Sequence, residues 1–173
     1  MKQISFQNDI LPLKNKLYRL ALRITLNPAD AEDVVQETMI KVWNRREQWT
    51  QLESVEAFCL TICRNQALDK TRKMTATTEQ SLDMSLHDAP DRSHFSNPED
   101  QTVMQDRILI VKRLVDSLPE KQRTAMQLRD FEGKSYKDIA NIMDITEQQV
   151  KVNIFRARQT VKQKFLQEED YGL

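Results

Sequence analysis

Two glycines in 173 residues, Gly133 and Gly172, constrain this chain more than any other feature. A loop that cradles phosphate needs several glycines, because its backbone must approach the anion closely and adopt angles that a Cβ forbids. Phosphate-loop and dinucleotide-binding folds are therefore excluded. The chain is rich instead in Leu, Gln, Lys, Arg and Glu, which lose little side-chain freedom in a helix. The expected fold class is all-α.

Apolar spacing divides that helical chain into elements. Leu13, Leu17, Leu20 and Ile24 recur at helical intervals along one face. Asn27-Pro28 ends this helix. Asp30 is expected to cap the next one, with Asp33 three residues on and negative charge at the positive helix end. Its inward residues would be Ala31, Val34, Val35, Thr38 and Val42, and it would run to about Arg46. Residues 47–54, "EQWTQLES", read as a polar loop around Trp49. A third helix is expected from about Val55 to Lys73, with Phe58, Ile62 and Leu68 inward and the basic run "DKTRK" at its end. Cys59 and Cys63 fall in its apolar pattern and read as buried, reduced thiols. The histidines, His87 and His94, lie in another segment, so no metal site or cofactor is expected.

Charge is uneven although the net charge is zero. Residues 1–73 carry 12 basic and 9 acidic groups, residues 74–100 carry 1 and 6, and residues 101–173 carry 13 and 11. The middle block is rich in Ser, Thr and Asp and lacks periodicity, the signature of a flexible linker. The expected organisation is two small helical domains, 1–73 and 98–168, joined by an acidic linker at 74–97 and followed by a short tail at 169–173. Asn97 and Pro98 suit a helix start. Met104, Ile108, Val111, Val115 and Leu118 would form the buried stripe that follows. Pro119 opens a further helix containing Ala125, Met126 and Leu128, which Gly133 stops.

The last fifty residues hold a helix-turn-helix pattern. Ser135 caps a short helix, a tight turn follows at Met143–Ile145, and Thr146 with Gln149 forms a capping box for a longer helix. Ala140 is the small residue where two helices cross, with Ile139, Met143, Ile145 and Val150 around it. Ile154, Ala157 and Val161 continue the buried face. The other faces carry Glu147, Gln148, Lys151, Asn153, Arg156, Arg158 and Lys162, whose donors, acceptors and charges suit base edges and phosphates in a major groove. Two further features leave alternatives open. The run of Arg64, Asn65, Asp69, Lys70, Arg72 and Lys73 is either a solvated helix end or a phosphate-facing surface. In "DAEDVVQETMIKVW", helix-end electrostatics explain Asp30, Glu32 and Asp33; Gln36, Glu37 and Ile40 fit a basic protein partner as well.

Three stretches, "DAEDVVQETMIKVW", "AFCLTICRNQALDKTRK" and "LPEKQRTAMQLRDFEGKSYKDIANIMDITEQQVKVNIFRARQTVKQKF", closely resemble RNA polymerase sigma factors of the extracytoplasmic-function (ECF) group. The resemblance implies a dissociable transcription initiation subunit without catalysis of its own. Its N-terminal domain would bind core polymerase and melt the −10 element, and its C-terminal domain would read the −35 element. It places Asp33, Gln36, Glu37, Met39, Ile40 and Trp43 against the clamp helices of the polymerase β′ subunit. Trp49, Arg64, Asn65, Asp69, Lys70, Arg72 and Lys73 fall at the −10 strand, with Trp49 open to a second reading as a core aromatic. Gln148, Lys151, Val152, Asn153, Phe155, Arg156 and Arg158 fall at the −35 element, although Arg156 and Arg158 cannot point the same way on a helix. The implied partners are core polymerase, including its β flap, promoter DNA and an anti-sigma factor. The linker is either a passive tether or a thread through a basic polymerase channel. The sequence has neither a signal-peptide core nor a membrane-length apolar run, which leads to the expectation of a cytoplasmic protein. The competing reading is a stand-alone helix-turn-helix regulator, for which no dimerising segment is evident.

Overall fold

The computed structural model describes residues 3–80 and 103–171, and every regular element among them is helical. Short turns at Phe6–Ile10 and Leu11–Leu13 lead into α1, Lys14–Thr25. Leu17, Leu20, Ala21 and Ile24 form its buried stripe. Leu26 closes α1 in the left-handed region, at φ 56°, and its N–H donates to the Leu22 carbonyl at 2.8 Å. That conformation usually belongs to glycine and costs a leucine roughly 1–2 kcal/mol.

Helix α2, Pro28–Asn44, begins three residues earlier than expected. Its cap is Asn27, not Asp30: the Asn27 side chain accepts from the Asp30 amide at 3.1 Å. Asn27 is the last extended residue (φ −139°), so its side chain alone is placed to reach back, and Pro28 then fills the first helical position without needing an amide partner. Asp30 sits in the first turn, where it complements the helix dipole. Ala31, Val34, Val35, Thr38 and Val42 are buried as expected.

The segment read as a loop coils into a 3-10 turn, Arg46–Gln51, around a buried Trp49. Helix α3 then runs from Val55 to Gln80, seven residues past Lys73. Its first turn is capped by Ser54, whose hydroxyl accepts from the Ala57 amide at 3.1 Å. Cys59 and Cys63 are both buried and free, as the apolar pattern suggested. Burial pushes each thiol from the ordinary 9.0 up to about 12.

The expected cap at Asn97 and Pro98, and most of the acidic segment, lie outside the described residues. Helix α4 covers Val103–Asp116. Its stripe is buried only at the C-terminal end: Val115 and Leu118 are buried, whereas Met104 and Ile108 are exposed. The first two turns of α4 touch α7 through the Arg107–Glu169 pair at 3.4 Å but leave Met104 and Ile108 exposed, so an apolar pattern there does not translate into burial. Helix α5, Glu120–Met126, passes into a π turn, Gln127–Phe131, that ends at Gly133 with φ +70°. Helix α6, Tyr136–Met143, is capped by Ser135, whose side chain accepts from the Asp138 amide. Asp144, at φ 53°, makes the tight turn into α7, Glu147–Tyr171, so α7 continues through most of the expected tail.

Helices α1, α2 and α3 pack together, and α7 gathers α4, α5 and α6 around it. The two groups are not separate bodies. Ala125, Leu128, Ile139, Ile142, Met143, Val150 and Ile154 belong to the same buried cluster as Leu17, Leu20, Val34 and Cys63. Fully burying an aliphatic side chain of this size contributes about 1.5–3 kcal/mol. A smaller cluster of Leu114, Val115, Leu118, Met126, Ala157 and Val161 holds α4 and α5 on α7.

Candidate functional site

Three surfaces hold the residues singled out in the sequence. The first is the outer face of α2. Asp33, Gln36, Glu37, Ile40 and Trp43 are exposed there, with Ile40 at 60% and Trp43 at 47%, and Met39 is half-buried. Ile40 and Trp43 thus expose apolar surface among carboxylates. Trp43 is held by its edge contacts to Phe6 (5.7 Å) and Trp49 (6.1 Å) and by the Arg46 guanidinium 4.8 Å from its centroid. The carboxylates are oriented from α3. Lys70 reaches Asp33 at 3.3 Å. Gln66 donates to Glu37 at 3.1 Å and accepts from Lys41, in the amide orientation that satisfies both.

The second surface is the outer face of α3, where Asn65, Asp69, Arg72 and Lys73 are exposed and Lys70 is half-buried. Arg72 and Asp69 lie 3.8 Å apart. Two residues expected here are not on it. Trp49 is 6% exposed, and its indole N–H donates to the Val42 carbonyl at 3.1 Å. An aromatic pinned between α2 and the 3-10 turn has no face left for a base. Arg64 is 8% exposed, with Glu120 of α5 at 3.8 Å.

The third surface is the start of α7. The Thr146 amide donates to Gln149 at 3.0 Å and the Gln149 amide donates to Thr146 at 3.1 Å, so the capping box closes in both directions. Gln148, Lys151, Val152, Phe155 and Arg156 are exposed, and Asn153 is half-buried with its side-chain amide on the Gln149 carbonyl. Arg158 turns the other way. Its Nε donates to Asp130 at 3.1 Å, which raises its pKa above the ordinary value. Arg156 has no ion-pair partner among the described residues. The two arginines thus separate into one that is bound within the fold and one that projects. Lys151 and Arg129 both lie over the Tyr136 ring, at 5.6 Å and 4.3 Å, which links the two helices of the helix-turn-helix.

The model of sigma-70 region 2 matches residues 10–77, and that of sigma-70 region 4 matches residues 108–161. The ECF RNA polymerase sigma-E factor of Salmonella typhimurium is 30% identical over 167 residues, covering 94% of this chain and 87% of that protein. The chain belongs to the ECF sigma factor family. A probable sigma factor of Xanthomonas campestris, RfaY, is 25% identical across 97% of this sigma factor, which spans 42% of that longer relative. Among solved structures, the sigma factor RpoE of Bartonella quintana, crystallised with the anti-sigma factor NepR, superposes with a TM-score of 0.75 at 25% identity, covering 94% of this chain and 96% of that one. CnrH, solved with the cytosolic domain of CnrY, shares the fold at a TM-score of 0.63 and 17% identity, over 91% of this chain and 84% of that one. Among the described residues, no helix is long and apolar enough to cross a membrane and no cluster of side chains could hold a metal ion.

Sequence reasoning missed a set of charged residues between the two helical groups. Arg19 grips Glu132 through Nε at 2.7 Å and Nη2 at 3.0 Å. Arg23 reaches Asp116 at 2.8 Å and Gln127 at 2.9 Å. Glu56 accepts from Lys16 at 2.9 Å and from Lys134 at 2.6 Å. Burial works to raise the Glu56 carboxyl's pKa, but the two ammonium groups overcome it and hold the value below the ordinary one. Each is a charge on a helix or turn surface, with no local signature of a partner from the other half of the chain.

Proposed function

We propose that this sigma factor binds core RNA polymerase reversibly and directs it to promoters with −10 and −35 elements, taking no catalytic step itself. The observation that supports it best is the presence, on one chain, of three differently built surfaces. The α2 face, acidic with exposed Ile40 and Trp43, suits the polymerase clamp. The polar and basic end of α3 suits the −10 strand, with Asn65 and Asp69 for bases and Lys70, Arg72 and Lys73 for phosphates. The start of α7 suits the −35 major groove through Gln148, Lys151, Val152, Asn153, Phe155 and Arg156. Trp49 and Arg158 act in this reading as supports, one behind the α2 face and one behind α7. A stand-alone regulator would leave the α2 face without a role. The Bartonella relative, solved with an anti-sigma factor, supports a controlling partner of that class.

The test is in-vitro transcription with purified core polymerase, with and without this chain, on promoter fragments. Initiation at defined start points only when both proteins are present is the expected result. Duplex binding that is equally tight without core polymerase would favour the stand-alone regulator.

A further inference from the structure

Two apolar side chains stand on the outermost line of α7. At 3.6 residues per turn, Gln148, Val152 and Phe155 lie on the side of the helix opposite its buried stripe of Val150, Ile154, Ala157 and Val161. Val152 is 37% exposed and Phe155 65%. They are three residues apart, so their side chains are neighbours on the helix surface. Nothing local favours them there. An exposed valine is a poorer helix former than Gln, Lys or Arg, and an exposed phenyl ring leaves a large apolar area in water.

The polar residues around this pair are engaged or lie to the sides. The Gln149 side chain accepts from the Thr146 amide in the capping box, and the Asn153 side-chain amide donates to the Gln149 carbonyl at 2.8 Å. Lys151 lies on one flank, its ammonium 5.6 Å from the Tyr136 ring, and Arg156 is exposed on the other. From Glu147 to Arg158 the helix carries the cations Lys151, Arg156 and Arg158 against a single carboxylate, Glu147. Cations on both flanks fit two rows of phosphates, with the outermost line of the helix between them at the floor of a major groove. That line begins with a side chain able to hydrogen-bond, Gln148, and continues with two that cannot. Val152 has no donor for guanine and no acceptor for cytosine. The feature it can meet in the major groove is the C5-methyl group of thymine, which no other standard base presents.

We propose that Val152, packed beside Phe155, reads a thymine methyl group, so that the −35 element of this sigma factor contains an A·T pair selected through that methyl. The inference rests on the −35 role proposed above for α7 and names what that surface selects. Val152 is then a specificity-determining residue, and Phe155 covers the methyl from the side.

Deoxyuridine lacks only that methyl, so it supplies the test. The preferred −35 sequence is first selected from a randomised duplex pool by the holoenzyme of core polymerase and this chain. Each thymine on either strand of the selected element is then replaced in turn by deoxyuridine, and holoenzyme binding is titrated. One replacement should weaken binding about fourfold, the effect of losing one buried methyl group. Val152→Ala, which favours the helix, should bind the thymine and deoxyuridine duplexes equally, and Phe155→Ala should reduce the ratio. Lys151→Ala should weaken binding to both duplexes and leave the ratio intact. A selected element without thymine overturns the proposal. So does one in which every deoxyuridine is neutral, or a methyl effect that survives unchanged in Val152→Ala. If core polymerase and this chain together give no initiation, the sigma reading fails, and the same cycle with the full chain alone on duplex still decides the methyl contact. Absence of duplex binding in both formats overturns both.

Discussion

Lys70 Nζ lies 3.3 Å from a carboxylate oxygen of Asp33, which joins the acidic face of α2 to the basic end of α3 at one seam. The acidic run therefore need not repel DNA: its charge is partly matched from α3 and otherwise faces outward along α2. Asp33→Lys combined with Glu37→Lys should abolish co-purification with core polymerase. Helicity should survive, because the Asp33–Lys70 pair is largely exposed and contributes no more than about 1 kcal/mol. A double variant that still co-purifies at the wild-type level would remove α2 from the interface.

Trp49 is expected to behave as a core residue. Trp49→Ala should cost about 3–5 kcal/mol in urea unfolding, the range for truncating a buried aromatic. Trp49→Phe keeps a ring but leaves the Val42 carbonyl unpaired, a loss of about 1–3 kcal/mol. An alanine variant with unchanged stability and a selective defect in promoter opening would return Trp49 to the DNA surface.

The helices and most of their caps were legible because their determinants are local. Ser135, Thr146 and Gln149 act within three residues of themselves, and the buried stripes of α1 and α2 follow a simple period. Asn27 displaced Asp30 as cap through an equally local competition that backbone angles decide. Arg19, Arg23 and Arg123 were not legible. Their partners lie 93–113 residues away for the ion pairs of Arg19 and Arg23, and 99–100 away for the Arg123 contacts with α1. A charged residue on a helix reads as solvated until its distant neighbour is known. Burial of Arg64 under Glu120 escaped notice for the same reason. Met104 and Ile108 show the reverse case: helical apolar periodicity, yet both side chains are exposed.

Alkaline stability should depend on Cys59 and Cys63. Their folded pKa of about 12 stands above the unfolded 9.0, so the unfolded chain loses these protons first as pH rises. The thiol contribution is then fully present below pH 9 and is lost progressively between 9 and 12. Cys63→Ala should flatten that part of the stability curve relative to the wild type. Native-state alkylation at pH 8 should be slow for both thiols and become rapid only in denaturant. Rapid labelling of the folded chain would contradict their burial.

Arg156 and Arg158 should separate by phenotype, because the helix sends them to different partners. Arg158 holds Asp130 through two nitrogens, and this links α7 to the turn that follows α5. Half of its side chain is exposed, so solvent screens the pair, and Arg158→Ala should lower stability by no more than about 1 kcal/mol. Any effect on promoter binding should then be small and uniform across −35 sequences. Arg156 projects from the same helix without such a partner, so Arg156→Ala should leave the melting temperature unchanged. It should weaken −35-dependent binding by about 1–3 kcal/mol if the guanidinium forks onto a guanine, with the loss confined to one base position. A loss spread evenly over all promoter variants, with a shallower salt dependence, would instead make Arg156 a phosphate contact. Equal thermal destabilisation by both substitutions would show that the division between them does not hold in solution.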